Sequence, residues 1–202
     1  MSTRLRALGV VATVALLTGG CAAGTHPGAA AVVGGQEISN SQVDETARAF
    51  SAAVGEQVPV PAIVNQMVSD VLTEQVRQEK SITVADAEVA AAVPLMFNEQ
   101  VTQKLQADPV SNEFLQQIAT SAVIQAKLAG GNGKLDTADV QQQLQQGSAV
   151  VKQESKDIEV SVSPRYGRWT DGQLNTSISG SLSKESKQTA EQRNANAQPG
   201  QG

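Results

Sequence analysis

Apolar and polar positions change period twice along this chain. Residues 29–39, AAAVVGGQEIS, hold two short apolar runs on either side of Gly34-Gly35. A glycine pair reaches the positive φ of a two-residue turn, so the stretch predicts a hairpin of Ala30–Val33 and Gln36–Ile38. The period then becomes helical. Ser39 or Asn40 can cap a helix in which Val43, Ala47, Phe50 and Val54 share one face at i, i+4, i+7 and i+11. GEQVPVP interrupts it, and residues 62–80 carry the strongest helical pattern of the chain. There Ile63, Val64, Met67, Val68, Val71, Leu72 and Val76 form a broad apolar stripe, while Asp70, Glu74, Arg77 and Lys80 fall mostly on the opposite, solvated side. Asp70 and Glu74 could be paired carboxylates, but nothing polar in the pattern converges on them; Glu74 and Arg77 read as an ordinary i, i+3 pair.

Further helices follow. Thr83 can cap the next one, with acids near its start, and Pro94 is expected to stop it. Residues 94–109 hold Leu95, Met96, Phe97, Val101 and Leu105 in a short helix that ends before Pro109. Residues 111–133 read as a long helix with a glycine-rich stop, and another is expected to start near Asp136 or Thr137. The period changes back to two at DIEVSVS, residues 157–163, where Ile158, Val160 and Val162 alternate with polar residues. A two-stranded hairpin does not stand alone in water, so the late strand is expected to pair with the early hairpin and bring the two ends of the chain into one sheet. The fold class predicted is mainly α with a small β-sheet.

Composition narrows the chemistry. Of 202 residues 40% are hydrophobic but only 2% aromatic, which suits helices with small contact residues better than a thick β-core. The net charge is −5 and no basic stripe follows residue 6, so no nucleic-acid partner is expected. One Cys and one His exclude an internal disulfide, most zinc sites and any His-based triad. No GxxxxGK[ST] run is present, and no cofactor is expected.

The first residues read as an export address. Arg4 and Arg6 precede an apolar run from Ala7 to Leu17, and Thr18, Gly19 and Gly20 lead to Cys21. This resembles the lipobox of bacterial lipoproteins, in which the Cys takes a diacylglycerol and becomes the first mature residue. Thr18 stands where that pattern usually has Leu, and Leu17 lies one place further back. The alternative is an ordinary signal with an unmodified Cys. Cleavage would leave 13 basic against 20 acidic residues, a mature charge of −7, so the lipid and not a basic patch would hold the protein at the extracytoplasmic face of the membrane. The expected organisation is a signal peptide over 1–20, a lipidated tether over 21–29 containing His26, a domain over 30–175 and a disordered tail over 176–202.

Three stretches in this order resemble SurA-type chaperones and the related PrsA-type foldases. AAVVGGQEISNSQVD is similar to the strand, turn and helix start of that family. In AIVNQMVSDVLTEQVRQEKSITVADAEVAAAV, Ile82, Val84, Asp86, Glu88 and Val89 match the family's approach to the next helix, with Ala85 in place of Ser or Thr. VSVSPRYGRW looks like the family's late strand, with Ser163 in place of Asn. The resemblance implies a helical peptide-binding domain like those of SurA and trigger factor, and a chaperone that binds unfolded or exported polypeptides. Many relatives carry a parvulin prolyl-isomerase domain before the late strand. Only 28 residues separate Leu128 from Asp157, against the roughly 90 such a domain needs, and parvulin histidines are missing, so no enzyme activity is expected.

Met67, Leu95, Met96 and Phe97 are the candidate peptide-binding residues, because flexible apolar groups adapt to varied partners. Taken one at a time, each reads more readily as a core residue. Pro164, Tyr166, Gly167 and Trp169, which hold the one Tyr and the one Trp, are expected to clasp the sheet and not to bind a ligand. The competing function is a structural envelope lipoprotein that uses the same fold to bind one dedicated partner.

Overall fold

The computed structural model describes residues 27–177. The signal, Cys21 and His26 lie outside these residues, as does the tail from 178 onward. A hairpin of β1 (Ala29–Val33) and β2 (Gln36–Ser39) opens the domain. Its two-residue turn is Gly34-Gly35, both at positive φ, with Val33 opposite Gln36. Six helices follow: α1 (Asn40–Val54), α2 (Val60–Glu79), α3 (Asp86–Met96), α4 (Glu99–Ala107), α5 (Pro109–Leu128) and α6 (Val140–Glu154). A short 3₁₀ turn leads to β3 (Val160–Val162), and a second hairpin, β4 (Arg168–Thr170) with β5 (Gln173–Asn175), closes the described chain.

The early and late strands of the described residues pair as the apolar alternation requires. β1 is the central strand of the order β2-β1-β3 and pairs antiparallel with β3, Ala31 opposite Val162 and Val33 opposite Val160. Two flanking backbone bonds extend the pairing, Gly34 N–H to Glu159 O and Ser163 N–H to Ala30 O, both 2.8 Å. As the middle strand β1 is covered on both faces, and Ala29, Ala30, Ala31 and Val33 are all buried.

Helix boundaries differ from expectation where capping chemistry decides them. Ser39 caps α1 in a reciprocal box with Gln42: its Oγ accepts from Gln42 N–H, and Gln42 Oε1 accepts from Ser39 N–H. α3 starts after Ala85, not at Thr83, because the Glu88 carboxylate accepts from the Ala85 N–H at 2.8 Å. Pro94 does not stop α3 but sits inside its last turn. The carbonyl it leaves without a helical donor belongs to Ala90, an exposed residue whose backbone water can serve. The expected 94–109 helix is therefore split: Leu95 and Met96 finish α3, Asn98 caps α4, and its Oδ1 accepts from Val101 N–H. α6 begins at Val140, later than Asp136 or Thr137.

The core divides into two apolar clusters. The helical cluster joins α1, α3, α4 and α5 around Phe50, Leu105, Phe114 and Leu115, with Phe97 and Phe114 edge-on to Phe50 at 5.7 and 5.4 Å. The sheet-side cluster joins β1 and β2 to α2 through Val33, Ile38, Val64, Val68, Leu72 and Val76. α6 spans both, with Leu144 against the helical cluster and Val151 in the sheet-side one. Between them lies Gly147, where a Cβ would stand 2.0 Å from the Gln125 carbonyl oxygen of α5, so no larger residue permits this crossing.

Candidate functional site

α2 runs between the two clusters, and its rows face different partners. Val64, Val68, Leu72 and Val76 face the sheet. Ile63, Met67, Asp70 and Glu74 form the next row, at i, i+4, i+7 and i+11, which turns toward α5. Asp70 is thereby buried, 8% exposed, and not on the solvated side as its charge suggested. Polar groups do converge on it: Ser121 Oγ donates to Asp70 Oδ1 at 2.6 Å and Gln66 Nε2 donates to the same oxygen at 2.9 Å. Oδ2 is buried and has no hydrogen-bond partner among the described residues. Burial pushes the carboxyl up from 3.8 to about 6, against the downward pull of the Ser121 and Gln66 hydrogen bonds.

Asp70 lines a cavity of about 460 Å³ between β2, α1, α2 and α5. Ile38, Met67, Val71, Val110, Phe114 and Ile124 supply its apolar wall. Its polar wall carries Gln42, Gln116, Gln117, Thr120 and five carboxylates, those of Glu37, Glu45, Asp70, Glu74 and Glu113. Among the described residues no Lys, Arg or His lines it. Glu74 is held below the usual glutamate range chiefly by the Arg77 guanidinium, which donates to both its carboxylate oxygens at 2.7 Å. No described cation stands beside Asp70 in the same way. One turn apart on one helix, one acid is paired with a base and the other is buried without one.

The four candidate peptide-binding residues do not form one surface. Met67 lines the cavity. Leu95 is 49% exposed at the end of α3. Met96 and Phe97 are half-buried against the helical cluster, and none of Leu95, Met96 and Phe97 reaches the cavity.

The clasp residues surround the sheet end. Pro164 is exposed in the turn after β3. Tyr166 is 6% exposed in the sheet-side cluster, and its hydroxyl donates to Asn40 Oδ1 at 2.9 Å. The Arg165 guanidinium donates to the same hydroxyl and lies 4.4 Å from the ring centroid. Gly167 has φ +130°, and a Cβ there would stand 2.5 Å from Asn175 O. Trp169, half-buried, faces Leu174 across the β4–β5 hairpin and packs against the sheet-side cluster. The sequence reading does not anticipate that hairpin. Its turn is Asp171-Gly172, both at positive φ, the strongest short-range hairpin signal a sequence carries. Asn65 Oδ1 ties it to α2 by accepting from Leu174 N–H at 2.8 Å.

Among the described residues no group of three or more His, Cys, Asp or Glu is arranged to hold a metal, and no helix is long and apolar enough to cross a membrane. No family model, curated protein or solved structure matches this chain.

Proposed function

We propose that this protein is a membrane-anchored extracytoplasmic lipoprotein that binds segments of unfolded or exported polypeptides, with no isomerase activity. The observation that supports this most is the cavity beside α2. At about 460 Å³ it falls within the roughly 300–1,000 Å³ span of ligand pockets. An adaptable Met, apolar walls and a rim of glutamines suit side chains of varied shape. The specific domain architecture, a peptide-binding fold like those of SurA and trigger factor, belongs to the same proposal and rests on the three sequence stretches. Anchoring rests on the signal and Cys21.

The test is aggregation of a client protein with and without the purified chain. Suppression at near-stoichiometric amounts is expected, by mass action on the unfolded state. No effect on several clients, with one stable partner recovered, would favour the structural-lipoprotein reading. That reading draws on Leu95, the large apolar side chain that is exposed among the described residues. Cys21→Ser should release the protein from membranes; retention of the variant would contradict anchoring by lipid.

A further inference from the structure

The cavity has acid at its wall and at its rim, and no basic side chain among the described residues that line it. Oδ1 of Asp70 is engaged twice, while Oδ2 is buried and lacks any donor among the described residues. A carboxylate held this way is unfavourable unless a donor reaches its second oxygen. Glu45 from α1 and Glu113 from α5 add negative potential from two sides. Met67, Phe114 and Ile124 form part of the apolar wall beside Asp70.

We infer that the segment taken up here carries a Lys or Arg side chain between apolar neighbours, its cationic head donating to Asp70 Oδ2. This rests on the peptide-binding reading above and names the chemistry of the peptide. A basic side chain has a long aliphatic stem and a charged tip, which matches an apolar wall ending in an acid. The pairing is a charge-assisted hydrogen bond in a place sheltered from solvent. Oδ2 itself is covered, so uptake requires a lining side chain to turn aside, and Met67, unbranched and three residues earlier on the same helix face, is the lining residue suited to do so. The rim glutamates attract bases too, but that attraction is exposed and fades with salt. The contact with Asp70 does not.

The test uses the full chain in nanodiscs of zwitterionic lipid and three labelled peptides that differ at one central position, Lys, norleucine or Glu, among leucines and valines. Anisotropy at roughly 0.5 M salt removes most of the rim effect. The Lys peptide should bind about 10-fold more tightly than its norleucine twin, and the Glu peptide most weakly. Asp70→Asn should abolish the Lys preference, bringing the Lys and norleucine affinities together, with melting and Trp169 emission checking that the variant is folded. Equal binding of Lys and norleucine peptides to the wild-type chain would overturn this inference and leave the peptide-binding reading standing. A Lys preference that survives in Asp70→Asn would overturn it as well. Failure of all three peptides to bind would sink the peptide-binding reading itself.

Discussion

The two apolar clusters are built from different residues. The helical cluster holds all three Phe side chains of the protein, in edge-on contact. The sheet end holds the one Tyr and the one Trp, and its contacts are otherwise mostly Ala, Val, Leu and Ile. One half is filled by large rings, the other by strand pairing and β-branched side chains under an aromatic cover. The polar cavity with Asp70 lies where the halves meet, lined by Ile38 from the sheet side and Phe114 from the helical side. The seam between the halves leaves a cavity that neither cluster fills.

The change expected to break this arrangement most severely is Gly147→Val. It forces α6 off α5 at the point where α6 bridges both clusters. A loss of upwards of about 4 kcal/mol is expected, seen as a collapse of the thermal transition. A normal melt would mean that the close crossing is not needed.

Phe114→Ala removes the ring shared by the helical cluster and the cavity, and should cost about 3–4 kcal/mol. Trp169, at the other end, should keep its native emission until the whole domain unfolds. A shifted Trp169 emission in the still-folded variant would mean the halves are not separate in packing.

Asp70→Asn is expected to stabilise. The folded-state pKa of about 6 lies above the unfolded value of 3.8, so the carboxyl supports the fold fully only below about pH 3.8, and that support is lost as pH rises through 6. The shift is worth about 3 kcal/mol, and an amide donor newly left unpaired offsets about 1. The variant should therefore exceed wild type by about 2 kcal/mol at pH 8 and fall about 1 kcal/mol below it at pH 3.5 in denaturant titrations. A gain independent of pH would show that the buried charge is not its source.

The smallest effect belongs to the sheet end. Tyr166→Phe removes the hydrogen bond to Asn40 and the acceptor of Arg165 but keeps the ring, and should lower stability by about 1 kcal/mol. A loss as large as that of Phe114→Ala would contradict the view that strand pairing, more than the clasp, closes this end.

The hairpin at Gly34-Gly35 and the β1–β3 pairing were legible because alternation on both sides of a glycine pair fits a hairpin and little else. The second hairpin was not legible: Asp171-Gly172 carries a turn signal, but its strands are three residues each, too short to show alternation. For Asp70 charge and spacing point in opposite directions. It stands seven residues after Ile63 and three after Met67, on their row, and spacing decided its burial. Ser121, its partner, lies 51 residues away, and only the docking of α5 on α2 reveals the pair. Pro94 misled for the opposite reason: a helix tolerates proline where the orphaned carbonyl faces water.

The central claim, that polypeptide binds at the seam, is tested most directly by hydrogen–deuterium exchange with and without a permanently unfolded client such as reduced, carboxymethylated lactalbumin. Added protection is expected in β2, α1 and the facing stretches of α2 and α5, with α6 and residues 95–97 unchanged. Protection concentrated at Leu95, Met96 and Phe97 with the seam unaffected would contradict it.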